Sequence, residues 1–291
     1  MQIAVLGMGR MGRAVAGRLL DGAHDVVVWN RSPDKAGDVV EKGAREASSP
    51  TEAVRGAEVV VTSLTADDAV LEIVEHGGEN GAPLASGFGP ETVLAEMSTV
   101  SPETSERVSK ATENRSLASP ILGAPAAVSS GQASYLVAGP RTYFDRLEPV
   151  YSSLSDHVQY FGDDVKAPLE MKLLANYLLL SGIAVLGEMV PLAQAVGLPD
   201  DVLRNFLESS PLVAPALRNR LGALLSGEHE AWFTTTLGAK DVRLAVEMAN
   251  RHGLELPIAK VVEGRYEQAG DAGYAEADLT AVSELVRRRA G

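Results

Sequence analysis

The pattern of apolar and polar positions gives the two halves of the chain a different character. Up to residue 161, short apolar runs alternate with helix-forming segments, and several runs are dense in valine, as in EVVVTSL at residues 58–64. Such density is typical of strands buried on both faces of a parallel sheet. Strands alternating with helices predict an α/β, doubly wound, Rossmann-type sheet. The predicted strands are residues 3–6, 25–30, 58–64, 93–97, 134–138 and 158–161. The predicted helices are residues 10–21, 33–42, 51–56, 67–75, 102–113 and 141–154.

The second half has helical periodicity and no strand-like run of comparable quality. Its first segment, residues 168–196, is a single long apolar stretch. We therefore predict a Rossmann-type N-terminal domain over residues 1–164 and an all-α C-terminal domain over residues 165–291, joined by a long interdomain helix. The further helices predicted are residues 200–208, 213–225, 240–252, 257–269 and 278–289.

The apolar stretch is long enough to span a bilayer, but its composition favours a buried helix of a soluble protein. Asn176, Glu188, Pro191 and Gln194 all lie within it. A charge inside a membrane is costly, so we predict no membrane partner.

Composition and charge exclude several classes of function. The 291 residues carry a net charge of −13, which opposes a nucleic-acid partner because phosphate binding needs a basic face. The chain has no cysteine, which excludes disulfides and thiol nucleophiles and is consistent with a cytoplasmic location. Its five histidines are far apart in sequence, so no metal site is predicted.

A glycine-rich segment after the first strand predicts a dinucleotide site. It has the GxGxxG pattern, follows a strand, opens a helix and leads to a second strand. In this pattern the glycines permit a tight turn, close approach of the pyrophosphate and close packing of helix on strand, while the helix N-terminus binds phosphate. The residues expected to contact the cofactor here are Gly7, Met8, Gly9, Arg10, Met11 and Gly12.

The end of the second strand favours NADP(H) over NAD(H). NAD-binding folds usually place a carboxylate there for the ribose hydroxyls, whereas this chain has Asn30, Arg31 and Ser32. A carboxylate would repel a 2′-phosphate, and a guanidinium can hold it bidentately. We also expect Leu64 and Thr65, which follow the third long strand, to contact the cofactor.

Four motifs in order resemble the β-hydroxyacid dehydrogenase family, which includes 3-hydroxyisobutyrate dehydrogenases and glyoxylate/succinic semialdehyde reductases. They are VLGMGRMG at residues 5–12, EMSTVSPET at 96–104, MKLLANY at 171–177 and AKDVRLA at 239–245. The last three are similar to the family's D-x-S-T, K-x-x-x-N and K-D-x-x-L-A segments. The resemblance runs nearly end to end.

The resemblance implies roles for particular residues. Lys172 matches the family's catalytic lysine and Asn176 its substrate-orienting asparagine, and both would contact substrate in a cleft between the domains. Thr99 matches a residue near the nicotinamide, with Ser98 beside it near cofactor and substrate, and Lys240 matches a cofactor-contacting lysine. Lys172 and Asn176 are four residues apart, so they share a helix face. A lysine there can assist at a carbonyl oxygen as hydride reaches the carbon.

The expected substrate loop departs from the family pattern, which reads D-A-P-V-S-G-G. Here Leu122 stands at the serine position, Gly123 is retained, Ala124 replaces the second glycine, and Ser119 stands at the acidic position. An apolar Leu122 weakens the case for a carboxylate-bearing substrate, because a carboxylate needs donors. We expect Leu122, Gly123 and Ala124 to line a pocket for a less polar aldehyde, ketone or imine.

The sequence analysis therefore predicts an NADPH-dependent reductase of a small aldehyde or ketone. One alternative is an imine reductase, a neighbouring family with apolar substrate loops; its members usually carry aspartate or tyrosine where this chain has Lys172. Another is a catalytically inert NADP(H)-binding regulator, although Lys172, Asn176 and Lys240 argue against it. The long apolar helix and the family's usual assembly predict a homodimer.

Overall fold

The fold is described from a computed structural model, which covers residues 1–78 and 81–290. The chain divides into two compact units, Met1–Lys172 and Leu173–Gly291. The domain boundary predicted after residue 164 stays a prediction.

The first unit is built on a six-stranded sheet whose paired strands are all parallel. The strand order is β3-β2-β1-β4-β5-β6, with the first strand in the middle and the chain winding outwards in both directions. Apolar side chains from both faces are buried in two separate clusters, which explains the valine-rich runs. The predicted doubly wound, Rossmann-type sheet is confirmed. Its strands are β1 Gln2–Leu6, β2 Asp25–Trp29, β3 Arg45–Glu46, β4 Val59–Thr62, β5 Val93–Glu96 and β6 Ser116–Ala118.

Three later strands of the first unit form a second sheet, of order β7-β8-β9. Strand β7 pairs antiparallel with β8, and β9 pairs parallel with β8. The segment 119–125, expected to be a loop, contains β7 and the start of a short helix. The strands are β7 Ile121–Leu122, β8 Ser134–Val137 and β9 Val158–Tyr160.

The helices of the first unit lie largely where the periodicity predicts them. The main difference is α2, which is shorter than the predicted helix over residues 33–42. Asp34 has a φ of 62°, a left-handed conformation that interrupts a right-handed helix. The helices are α1 Arg10–Asp21, α2 Gly37–Glu41, α3 Pro50–Val54, α4 Asp67–His76, α5 Pro102–Ala111, α6 Pro125–Ser129, α7 Arg141–Arg146 and α8 Glu148–Leu154, with a 3₁₀ turn at Leu84–Gly87.

The second unit is helical throughout its described residues, apart from loops and one isolated bridge between Thr234 and Asp278. The long helix α9 begins in the first unit and supplies apolar side chains to the cores of the second. The all-α prediction is confirmed. The helices are α9 Ala167–Ala195, α10 Asp200–Ser209, α11 Pro215–Arg218, α12 Leu221–Ser226, α13 Thr235–Arg251, α14 Pro257–Ala269 and α15 Glu284–Ala290, with a π-type turn at Gly270–Tyr274 and a 3₁₀ helix at Leu279–Ser283.

Capping explains where two helices differ from their predicted bounds. Helix α13 begins five residues earlier than predicted, because the Thr234 hydroxyl accepts a hydrogen bond from the Leu237 amide at 3.3 Å and caps it. The predicted helix over residues 278–289 starts as a 3₁₀ turn, which the Asp278 side chain caps. Lys240 and Asp241 consequently lie in the second turn of α13.

Helix α9 is, among the described residues, the one helix long and apolar enough to cross a membrane. In its most apolar window, 44% of the residues are buried inside the chain itself. Because core helices pass the same test, the finding is weak evidence for a membrane.

Candidate active site

The glycine loop between β1 and α1 has the geometry of a phosphate cradle. Gly7 has a φ of 105°, which favours glycine. A Cβ on Gly12 would lie 1.8 Å from the Gly7 carbonyl oxygen, so only glycine fits there, whereas a Cβ on Gly9 would meet nothing within 4 Å. Gly9 also stands at the N-cap of α1 and gives it no side-chain cap hydrogen bond. The first amides of α1 have no intrahelical acceptor, as at every helix N-terminus, and suit an anion such as a pyrophosphate.

Asn30 connects the glycine loop to the loop after β2. Its Oδ1 accepts a hydrogen bond from the Met8 amide at 2.8 Å, and its Nδ2 donates to the Ser32 carbonyl at 2.8 Å. Both polar atoms of the Asn30 side-chain amide therefore bind the main chain, at Met8 and at Ser32. Arg31 and Ser32 are exposed, so their side chains are available to an incoming phosphate.

The ends of β4 and β5 are linked by hydrogen bonds. The Leu64 amide donates to Ser98 Oγ at 2.9 Å, and the Ser98 amide donates to the Glu96 carboxyl at 2.8 Å. Thr65 is exposed beside this link, and Thr99 is half-buried. These carboxyl ends of parallel strands are where open α/β sheets bind their ligands.

Lys172 is buried and contacts the expected substrate loop. Its Nζ donates a hydrogen bond of 2.6 Å to the carbonyl oxygen of Ile121, and its residue exposure is 7%. The two residues are 51 positions apart in sequence. The lysine's position is therefore fixed by the backbone of the loop.

The substrate loop itself is mostly apolar. Leu122 and Ala124 are half-buried, and Gly123 has a φ of 152°, which favours glycine. Ser119, at the family's acidic position, is fully buried and shares a hydrogen bond of 2.6 Å with Tyr151 OH. Burial raises the pKa of the Tyr151 hydroxyl, so it stays neutral.

In the second unit, Asp241 joins two predicted site residues. The Asn176 Nδ2 donates to Asp241 Oδ2 at 2.6 Å, and Lys240 Nζ lies 3.0 Å from Asp241 Oδ1. Asn176 and Asp241 are 4% and 2% exposed, so their hydrogen bond is shielded from solvent. With its nitrogen donating to Asp241, the Asn176 amide has its oxygen available as an acceptor.

Three groups that contact the predicted residues were missed by the sequence analysis. Asp241 and Glu96 lie inside the quoted motifs, so a signal for them was present. The Ile121 carbonyl is a main-chain group, so its contact with Lys172 cannot be predicted from the residue type. Among the described residues, no group of three histidine, aspartate or glutamate side chains could hold a metal ion.

Two family models match the chain. Residues 2–162 match the NAD binding domain of 6-phosphogluconate dehydrogenase, and residues 169–286 match the NAD-binding domain of NADP-dependent 3-hydroxyisobutyrate dehydrogenase. The chain belongs to the β-hydroxyacid dehydrogenase family. The expected resemblance is confirmed, and with it an NAD(P)-dependent oxidoreductase that acts on a small molecule.

Curated relatives match over nearly the whole length of this family member. The uncharacterized oxidoreductase YfjR of Bacillus subtilis is 30% identical, and the match covers 99% of this chain and 100% of that protein. Glyoxylate/succinic semialdehyde reductase 1 of Arabidopsis thaliana is 28% identical, over 99% of each chain.

Solved structures show the same fold. The 3-hydroxyisobutyrate dehydrogenase of Salmonella typhimurium aligns with a TM-score of 0.89 at 21% identity, over 98% of this chain and 99% of that one. An imine reductase of Streptomyces aurantiacus aligns with a TM-score of 0.62 at 23% identity, over the same shares. The chain thus shares its fold with a 3-hydroxyisobutyrate dehydrogenase and with an imine reductase.

Proposed function

We propose that this β-hydroxyacid dehydrogenase reduces a small aldehyde or ketone with NADPH, and that Lys172 is its catalytic residue. The observation that carries the proposal is the 2.6 Å hydrogen bond from Lys172 Nζ to the Ile121 carbonyl. It brings the family's catalytic lysine position against the family's substrate-loop position. A buried lysine amine fixed beside that loop is well placed to meet a carbonyl oxygen.

The residues act as follows. The cofactor would be held by the glycine loop, the α1 N-terminus, Leu64, Thr65, Ser98, Thr99 and Lys240, and NADPH when bound supplies the hydride. Lys172 donates a hydrogen bond and then a proton to the substrate oxygen, so that the carbonyl becomes an alcohol. Asn176, with its amide nitrogen engaged by Asp241, orients substrate through its oxygen.

The Lys172 assignment is tested by Lys172→Ala with Lys172→Met as a second variant that preserves bulk. Removing a donor aimed at developing oxyanion charge costs about 10²–10³ in kcat. We expect that loss with an unchanged NADPH dissociation constant, since the side chain acts on substrate. A variant that turns over its best substrate at the unmutated rate would refute the role.

The preference for NADPH is supported by Arg31 and Ser32, both exposed after β2, and by a strand end without a carboxylate. Arg31→Ala should reduce the preference of kcat/KM for NADPH over NADH by roughly 1.5–3 kcal/mol, the usual worth of a charged hydrogen bond. The exposed Arg45, on β3, provides the matched Arg→Ala control. Equal kcat/KM for NADPH and NADH in the unmutated enzyme would contradict the proposal.

The substrate class is supported by Leu122, which is half-buried at the family's serine position. A panel of glyoxylate, succinic semialdehyde, uncharged aldehydes and cyclic imines separates the possibilities. We expect uncharged aldehydes to have the highest kcat/KM. Highest kcat/KM on the imines would identify an imine reductase. Tight NADPH binding without turnover of any substrate would favour a catalytically inert NADP(H)-binding regulator. A cytoplasmic location stays a prediction.

We also propose a homodimer that covers the exposed apolar stripe of α9. Leu178, Val185 and Leu192 are 76%, 65% and 62% exposed, and their spacing of seven residues places them on one side of the helix. A continuous stripe of this kind marks an association surface. Leu178→Glu should give monomers by analytical ultracentrifugation, whereas Leu254→Glu, at an exposed leucine outside the stripe, should not.

A further inference from the structure

Glu96 is a buried acid that the mechanism above does not use. It is the last residue of β5 and is 2% exposed. Its Oε1 accepts hydrogen bonds from Thr62 Oγ1 at 3.1 Å and from the Ser98 amide at 2.8 Å. Its Oε2 is also buried and has no hydrogen-bond partner within residues 1–78 and 81–290. A fully ionised carboxylate would leave this oxygen unsolvated and unpaired, which is costly.

The carboxyl connects the two loops that the proposed function assigns to the cofactor. Thr62 ends β4 and lies two residues before Leu64, and Ser98 follows β5. The Leu64 amide in turn donates to Ser98 Oγ at 2.9 Å. Thr62, Glu96, Ser98 and Leu64 thus form one chain of hydrogen bonds across the ends of two adjacent strands. A substitution at Glu96 would therefore act on both loops through this chain of hydrogen bonds.

We propose that Glu96 is a positioning residue for the nicotinamide cofactor, which holds both loops through Thr62 and Ser98. The inference rests on the proposed binding of NADPH by Leu64, Thr65, Ser98 and Thr99. It makes cofactor affinity depend on pH within the neutral range.

The electrostatic surroundings of Glu96 favour the uncharged form. Burial raises the pKa of its carboxyl to about 7, the hydrogen bonds from Ser98 and Thr62 oppose that rise, and the negative charge of Asp67 adds to it. Asp67, in the first turn of α4, supplies a negative charge that acts on Glu96. The adjacent strands pair Thr62 and Ala118 with Glu96, and neither side chain ionises.

The direction of the pH effect follows from the charge of the ligand. NADPH is an anion, so its binding near a carboxyl favours the protonated form and raises the pKa of that group further. By linkage, the protonated enzyme then binds NADPH more tightly than the ionised enzyme does. The dissociation constant should therefore rise as pH increases through 7, by about threefold or more between pH 6 and pH 8 if binding raises the pKa by about one unit.

The test measures NADPH binding by fluorescence from pH 6 to pH 9 in the unmutated protein and in Glu96→Gln. Glutamine reproduces the size and neutrality of the protonated acid. The 2′-phosphate of NADPH also titrates near pH 6, so the ratio of the two dissociation constants is compared at each pH. We expect this ratio to rise about threefold or more from pH 6 to pH 8. Glu91→Gln, at an exposed acid paired with Arg146, is the matched control and should track the unmutated protein.

A second variant keeps the test independent of how well Glu96→Gln folds. Thr62→Val removes a donor that stabilises the charged carboxylate, so it should move the midpoint of the pH effect upwards. Parallel binding curves for the unmutated protein and Glu96→Gln, or an unmoved midpoint in Thr62→Val, would overturn the inference. Absence of NADPH binding at every pH would instead refute the proposed function.

Discussion

The side-chain nitrogen of Asn176 lies 2.6 Å from a carboxylate oxygen of Asp241, and both residues are buried in the second unit. The pairing fixes which end of the Asn176 amide is free. Asp241 also lies within ion-pair distance of Lys240, so one carboxylate orients two residues that we assign to the reaction.

Asp241→Asn is expected to lower kcat by about tenfold, because a charge-assisted hydrogen bond is replaced by a neutral one and the Asn176 amide loses its fixed orientation. Thermal unfolding should show a loss of about 1–3 kcal/mol. A double-mutant cycle with Asn176→Ala measures the coupling directly. The exposed Asp271→Asn is the control, and additive effects in the cycle would contradict the coupling.

Asn30 should act on both nicotinamide cofactors, in contrast to Arg31. Asn30→Ala removes the hydrogen bond to Met8 and the one to Ser32, and so loosens the glycine loop. We expect the dissociation constants of NADPH and NADH to rise together, by about fivefold to tenfold for a lost hydrogen bond of 1–1.4 kcal/mol. A selective loss of NADPH would show that Asn30 binds the 2′-phosphate itself.

Substitutions of two glycines in the glycine loop should affect stability and NADPH binding differently. Gly12→Ala would put a Cβ 1.8 Å from the Gly7 carbonyl, so it should lower the melting temperature strongly. Gly9→Ala meets nothing within the chain, and the φ of −68° suits alanine, so its stability should change by no more than about 0.5 kcal/mol.

Gly9→Ala should nevertheless weaken NADPH binding, because the added methyl occupies the space into which the pyrophosphate fits. Isothermal titration measures this loss and differential scanning calorimetry measures the stability of both variants. Normal affinity in Gly9→Ala would place the pyrophosphate elsewhere.

Glu96 should also make the stability of the folded chain depend on pH. Its folded pKa of about 7 lies above the value of 4.5 for a free glutamate. The protonated folded state is therefore favoured below pH 4.5, and this contribution is lost as pH rises through 7, on the order of 3 kcal/mol in all. Glu96→Gln should gain stability relative to the unmutated protein between pH 5 and pH 8 in urea unfolding. A difference that does not change with pH would exclude the perturbed pKa.

Most of the Rossmann-type unit is predictable from sequence because its longer strands and its glycine-rich turn have clear local patterns. Valine-rich runs identify β1, β2 and β4, and the glycines between β1 and α1 identify the turn. Strands β3 and β6 have only two and three residues, too few for a period to emerge, so the sequence analysis missed them.

Features set by single hydrogen bonds were harder to predict. The early start of α13 depends on one threonine cap within a run of three threonines, and each of those threonines is a possible cap. The antiparallel pairing of β7 brings together residues more than ten positions apart. One acceptor for Lys172 is a main-chain carbonyl, a group that every residue possesses. Such contacts are decided by tertiary structure and leave no local pattern.

The hydrogen bond from Lys172 to a main-chain oxygen has a consequence for how this family can diversify. Because this acceptor is a main-chain oxygen, Leu122 and Ala124 can be substituted without removing the hydrogen bond to Lys172. Substitutions that change the substrate range would then leave the proposed catalytic role of Lys172 intact. A library randomised at Leu122 and Ala124 should consequently yield enzymes with new substrates far more often than inactive ones.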